Sequence, residues 1–173
     1  GGIVLFWFGW SVFRLSSLSI SFLIFMIPLP YIVYDAIAFP LKLFVTKSSV
    51  AVLQLLSIPV VREGNIIMFP QTVLEVADAC SGLRSLMSLI TLAVALAFLT
   101  QTSPLKRSIL IVSAIPVAII TNMFRVITTG VLASNFGAAA AEGFFHEFAG
   151  MAVFLLAMAL LFAESTFLKK VGK

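Results

Sequence analysis

Three apolar runs of membrane-spanning length dominate the second half of the chain, at residues 83–100, 108–132 and 144–162. A helix needs about 20 predominantly apolar residues to cross a bilayer. Because 61% of the 173 residues are hydrophobic and 10% are charged, a soluble core of this size could not bury so much apolar surface. The sequence therefore predicts an all-α integral membrane helical bundle.

The first half of the chain is apolar but interrupted. A short run at residues 3–13 is followed by residues 15–34, which are long enough to cross, and Pro28 and Pro30 are expected to break or end that helix near the interface. Since the sequence starts without a methionine and enters an apolar run at once, we expect further N-terminal spans to precede it. We predict a single polytopic membrane domain over residues 1–173.

Short β-like runs interrupt the helical pattern at residues 60–78, where VVREGN, IIMFPQT and VLEVAD follow one another. Gly64-Asn65 and Pro70-Gln71 are turn signals between these runs. We therefore predict a small extracytoplasmic β-hairpin, inserted between the membrane helices.

Basic residues predict the orientation of the spans. Lys106 and Arg107 lie between two apolar runs, and lysines also follow the last run, at Lys169, Lys170 and Lys173. Because cytoplasmic loops are enriched in Lys and Arg, the first and third long runs should begin on the outer side, and the second should end there. With an earlier run crossing outward, residues 36–56 cannot cross once. We expect them to lie along the outer interface, or to dip in and return.

Three reactive side chains are predicted to lie at the same depth in the membrane. Cys80 lies at the outer end of the first long run, and His146 lies in the first turn of the third. Arg125 lies about 26 Å along its helix from Ser108, near the outer face of a core about 30 Å thick. We therefore predict that a thiol, a guanidinium and an imidazole converge at the outer rim of the bundle.

Each of these side chains has a use in nucleophilic catalysis. Cys80 precedes a helix N-terminus, where the helix dipole and Arg84 or Arg125 would lower the pKa of the thiol. His146 can accept the thiol proton and return it to a leaving amine. Arg125 stays protonated, so it suits stabilisation of a thiolate, an oxyanion or a substrate carboxylate. Asn122, one turn earlier on the same helix face, could donate a hydrogen bond.

Other interpretations of the same residues stay open. Taken alone, Cys80 could be a small core residue, Arg125 could pair with Asp78 or Glu142, and His146 could cap a helix. The chain could then be a non-catalytic scaffold, or a transporter or channel subunit with Arg125 and His146 lining a polar path. The shared depth of the three side chains favours an enzyme over both alternatives.

The sequence contains no pattern for a metal or a cofactor, and we predict neither. His146-Glu147 lacks a second histidine at metal-ligand spacing, and no phosphate-binding glycine loop occurs. The aromatic residues are mostly 17 phenylalanines without interleaved basic residues, so nucleic-acid binding is not expected either.

Several strings resemble the exosortase branch of the exosortase/archaeosortase family of membrane transpeptidases. They are FMIPLP at 25–30, REGN at 62–65, LEVADACSGLRSL at 74–86, NMFRV at 122–126 and FFHEFAG at 144–150. In that family the motif cysteine is the proposed nucleophile, and an arginine and a histidine complete the site. The resemblance therefore implies catalytic roles for Cys80, Arg125 and His146, and the histidine indicates the bacterial branch.

The resemblance also implies a reaction and a location. Such an enzyme cleaves exported proteins that end in a Pro-Glu-Pro-type motif, a transmembrane helix and a basic tail, at a site on the periplasmic side of the bacterial inner membrane. A thioester on Cys80 would form, with backbone N–H groups at Ser81 and Gly82 helping to hold the oxyanion. Transfer to an acceptor amine and hydrolysis share this thioester, so the sequence does not separate a transpeptidase from a peptidase.

Overall fold

A computed structural model describes residues 2–23, 27, 30–70, 72–76, 83–137 and 144–170, and within them every side chain except those at 15, 18, 83–84 and 144–147. The described residues form five helices and three short strands. In chain order these are α1 Gly2–Phe22, α2 Tyr31–Leu55, β1 Val61–Glu63, β2 Ile66–Met68, β3 Val73–Glu75, α3 Leu83–Thr100, α4 Pro104–Phe136 and α5 Phe144–Lys170.

The chain divides into two compact units, residues 1–34 and residues 35–173. The first unit holds α1, which bends at Gly9, where φ is 73°. The predicted span over residues 15–34 is not one continuous helix, because α1 ends at Phe22 and α2 begins at Tyr31. The break lies close to the predicted prolines, and the carbonyl of Pro30 accepts the N–H of Val33 at 3.0 Å in the first turn of α2. The helical structure is thus interrupted within the predicted span, near the prolines that were expected to break or end it.

Helix α2 runs for 25 residues, without reversal, through Pro40. The prediction that residues 36–56 dip into the membrane and return is therefore wrong. Its length and composition are sufficient for a membrane span. An arrangement along the outer interface stays a prediction. The buried face of α2 includes Val45, Ser49 and Leu53.

The predicted hairpin region forms a three-stranded antiparallel sheet in the order β1-β2-β3. Gly64, with φ of 60°, supplies the first turn, where the prediction placed it. A third strand follows because the chain reverses again after β2, where the N–H of Phe69 donates to the carbonyl of Thr72 at 2.8 Å. Ile67 pairs with Leu74 in the register of β2 and β3. The extracytoplasmic location of this sheet stays a prediction.

Helices α3, α4 and α5 pack against one another as a bundle. Three described helical segments are long and apolar enough to cross a membrane: Tyr31–Leu55, Pro104–Phe136 and Phe148–Lys170. Helix α3 is shorter, with 18 residues. Ser103 occupies the N-cap position of α4 and Pro104 follows it in the first turn. The sequence places Lys106 and Arg107 between two apolar runs. In the structure both lie in the first turn of α4, because proline is well suited to the first helical position.

Two polar contacts set the antiparallel register of α4 and α5. The hydroxyl of Ser113 donates to Oε2 of Glu164 at 2.6 Å, and Nζ of Lys106 donates to the carbonyl of Leu168 at 2.7 Å. A buried contact also joins α3 to α5, because the side-chain amide of Gln101, which directly follows α3, donates to α5. These bonds lie at the end of the bundle where α4 begins, and they oppose sliding of one helix past the other.

The sheet rests on an apolar cluster at the other end of α4. The buried side chains of the cluster come from α2, the sheet and α4, and they include Val45, Leu53, Ile67, Val76 and Val126. Gly130 of α4 permits a close approach, because a Cβ built there would lie 3.0 Å from Cδ1 of Leu53. This cluster therefore holds the strand that precedes the cysteine motif against α4.

Candidate active site

Arg125 lies in α4 with its guanidinium against the backbone of α5. A Cβ built on Gly150 would lie 3.1 Å from both Cζ and Nη2 of Arg125, and 3.4 Å from Nη1. These distances are shorter than the optimum of about 3.5–4.0 Å between carbon atoms. The guanidinium therefore occupies space that any side chain larger than hydrogen at position 150 would contest.

Gly150 connects this arginine with the predicted histidine. Position 146 lies in the first turn of α5, four residues before Gly150 in the same helix. Residues four apart lie on one helix face, with Cβ atoms about 5–6 Å apart. The backbone of His146 is thus one turn from the glycine that contacts Arg125, while the imidazole of His146 lies outside the described side chains.

Strand β3, which precedes Cys80 in the sequence, ends close to Arg125. A small cavity of about 10 Å³ lies between the strand and α4, and its lining includes Glu75, Val76, Arg125 and Thr129. Val76 is 1% exposed, and its N–H donates to the carbonyl of Asn65 at 2.9 Å, which anchors the end of the strand. The strand therefore ends beside Arg125.

The remaining predicted residues divide into two groups. Cys80, Ser81 and Gly82 lie outside the described residues, and Arg84 lies in the first turn of α3 with its side chain outside the description. Asn122 is 3% exposed in α4, three residues before Arg125. A buried amide within an apolar helix is costly, so it is consistent with the polar role predicted for it.

Three residues at this place were not among the predicted site residues. Gly150 is the last residue of the string FFHEFAG. The sequence signal that could have identified it is a small residue one helical turn after His146. Thr129 follows Arg125 by one turn and is 5% exposed. Glu75 at the end of β3 accepts a hydrogen bond of 3.5 Å from Nδ2 of Asn65.

The chemistry available to Arg125 follows from its surroundings. A guanidinium offers five N–H donors in a fixed plane and does not lose its charge. The helices around it are apolar, so its attraction to a negative oxygen is stronger than in water. A positive group fixed against a glycine backbone can therefore stabilise an anion that forms beside it.

Comparison with known proteins adds the family. The chain matches the family model described as transmembrane exosortase over residues 1–163, which includes all five helices except the end of α5. No curated protein and no solved structure matches the chain. The matched region contains Arg125, Gly150 and the strand that ends at Val76. With its apolar helices, the chain is a multi-pass membrane protein that belongs to the transmembrane exosortase family.

Proposed function

We propose that this protein is a membrane cysteine transpeptidase or peptidase that cleaves the C-terminal sorting signals of exported proteins. Cys80 is the nucleophile, His146 is the general base and acid, and Arg125 stabilises the oxyanion. The observation that carries the proposal is the position of Arg125, which contacts the helix of His146 and also lines a cavity with Val76.

Chain length limits how far Cys80 can lie from this place. Cys80 follows Val76 by four residues and precedes Leu83 by three. An extended chain spans at most about 3.6 Å per residue, so the Cα of Cys80 lies within about 14 Å of that of Val76. Since Val76 and Arg125 line one cavity, this limit supports a site shared by Cys80 and Arg125.

The first half of the reaction breaks the peptide bond. His146 takes the proton of the Cys80 thiol, and the thiolate attacks the scissile carbonyl carbon. The negative oxygen of the tetrahedral intermediate is held by Arg125 and by backbone N–H groups at Ser81 and Gly82. When the intermediate collapses, the C–N bond breaks, and the leaving amine takes the proton from His146.

The second half resolves the thioester on Cys80. An acceptor amine or water attacks the thioester carbonyl and transfers a proton to His146. The C–S bond then breaks, and the thiolate of Cys80 returns as the leaving group. An amine acceptor makes the enzyme a transpeptidase, whereas water makes it a peptidase. Asn122 and Arg84 have supporting roles near the substrate or the thiolate in this scheme.

The proposed substrate and location are those that the family suggests. The substrate is a membrane-anchored protein with a C-terminal Pro-Glu-Pro-type motif, a transmembrane helix and a basic tail. The site faces the periplasm from the bacterial inner membrane. Supporting this orientation, Lys106 and Lys169 lie at the end of the bundle remote from Arg125, where a cytoplasmic face would carry basic residues.

Processing of a tailed substrate in host cells tests the proposal. We expect no processing by the Cys80→Ala variant, and trapping of an acyl-enzyme in the wild type by mass spectrometry. Normal processing by Cys80→Ala at equal membrane abundance would eliminate the nucleophile assignment. The mass of the new C-terminus of the product would distinguish transfer from hydrolysis. If the protein is a transporter or a scaffold, the product should either form equally in Cys80→Ala or be absent in the wild type as well.

A further inference from the structure

A second, larger cavity lies farther along α4 than the candidate active site. It has a volume of about 190 Å³ and is lined by residues after α2, after β2 and in α4, namely Ser57, Ile58, Pro59, Phe69, Pro70 and Ser134. Four of these six residues are apolar. An engineered apolar cavity of about 150 Å³ accommodates benzene, so this one is large enough for an apolar side chain.

Ser57, at the rim of this cavity, has an unusual backbone conformation. Its φ is 63°, and it is the only non-glycine residue in the described part of the chain with a positive φ. The N–H of Ser57 donates to the carbonyl of Gln54 at 2.9 Å, and that of Ile58 donates to Leu53 at 3.0 Å. This pattern is a Schellman motif, in which glycine usually occupies the position of Ser57. A serine in this conformation costs stability, which is consistent with a use for its side chain.

The two cavities lie at different points along α4, and the chain around β3 also extends from one cavity to the other. Ser134 follows Arg125 by nine residues, or about 13.5 Å along the helix. The turn of Phe69 and Thr72 lies at the larger cavity, and β3 then leads to Val76 at the smaller one. An extended peptide rises about 3.3 Å per residue, so about four residues would bridge the two cavities.

Strand β3 is suited to guide such a peptide. It is an edge strand of the sheet formed by the described residues, in the order β1-β2-β3. Edge strands offer backbone N–H and C=O groups to an added strand, with side-chain pockets supplying the specificity. Residues before β3 line the larger cavity and residues at the end of β3 line the smaller one, so the strand connects the two linings.

We propose that the larger cavity binds an apolar side chain of the protein substrate, about four residues N-terminal to the cleaved bond, while the substrate main chain runs along β3. This subsite rests on the proposed function. The N-terminal side is indicated because the end of α4 is predicted to face outward, whereas the transmembrane helix of the substrate follows the cleaved bond. The hydroxyl of Ser57 at the rim of the cavity can bond a substrate main-chain group, whereas that of Ser134 donates to the carbonyl of Val131 within α4 at 3.0 Å.

A filled cavity provides the test. Ser134→Phe should occupy the cavity, and Asn135→Phe is the matched control, because Asn135 is exposed at the next position and does not line the cavity. The probes are two tailed substrates with Leu or Gly at the fourth position before the cleaved bond, counted from the product mass. We expect Ser134→Phe to lower kcat/KM for the Leu substrate by about 10-fold to 100-fold and to leave the Gly substrate unchanged. Asn135→Phe should change neither.

The outcomes separate the subsite from the catalytic assignment. An equal loss for both substrates, or a Leu preference at another position, would overturn the subsite while Cys80-dependent cleavage persists. Cleavage that survives Cys80→Ala would instead overturn the proposed function. If Ser134→Phe does not reach the membrane, Ser57→Gly decides, since glycine suits that backbone conformation. We expect a higher KM in Ser57→Gly, and an unchanged KM would contradict the subsite.

Discussion

Replacing Gly150 with alanine should displace the guanidinium of Arg125. The new Cβ would lie 3.1 Å from Cζ and Nη2 of Arg125. Because favourable carbon contacts begin near about 3.5 Å, the guanidinium must move by about 0.4–0.9 Å. The contacted atoms are the end of a flexible side chain, so the displacement falls on the functional group and not on the helix backbone.

The displacement predicts a catalytic loss without a loss of stability. Productive geometry must be held within about 0.5 Å, and a misplacement of about 1 Å can cost about 100-fold in rate. We therefore expect kcat to fall by about 10-fold to 100-fold in Gly150→Ala. Alanine favours a helix interior by about 0.5–1 kcal/mol over glycine, so the amount of folded protein should not decrease.

The assay compares single and double variants on one tailed substrate, with enzyme amounts equalised by immunoblotting. Met151→Ala is the control, because Met151 follows Gly150 in the helix and is 58% exposed. If Gly150 acts through Arg125, adding Gly150→Ala to an Arg125→Ala variant should cost nothing further. The product should be quantified with the wild type and all four variants in parallel.

Three results would refute this reasoning. A wild-type rate in Gly150→Ala would show that the position of the Arg125 guanidinium does not affect the reaction. Additive losses in the double variant would show that the glycine acts independently of Arg125. A decrease of membrane abundance that matches the loss of activity would assign Gly150 to folding instead.

Three further predictions concern stability and are measured by thermal unfolding in detergent. Gly130→Ala should destabilise by about 1–2 kcal/mol, because the overlap of its Cβ with the buried Leu53 outweighs the preference of a helix interior for alanine, and an unchanged midpoint would contradict the close packing. Ser57→Gly should raise the free energy of unfolding by about 1 kcal/mol by relieving a positive φ, and a lower midpoint would count against that strain. Ser113→Ala should cost about 1–3 kcal/mol because it removes the 2.6 Å donor to Glu164, with Ser113→Thr as the control that keeps the hydroxyl.

Helix boundaries were less predictable than helix cores. The long apolar runs at 108–132 and 144–162 lie inside α4 and α5, but both helices extend beyond the apolar residues. The reason is that capping and polar contacts continue a helix into water, as at Pro104, where hydropathy carries no signal. In the first half, α2 continues through Pro40, whereas the helical structure is interrupted near Pro30. A proline by itself does not indicate which of these outcomes occurs.

The sequence by itself determined the membrane class, the long apolar helices α4 and α5, the strands with their first turn, and a family resemblance that the match confirms. These features depend on hydropathy, local turn chemistry and the order of motifs, all of which are local in the chain. Only the tertiary structure decided that Arg125 lies against Gly150 and beside Val76. Those contacts join distant positions, and they depend on the register of α4 and α5 and on the close approach of backbones, which no single segment specifies.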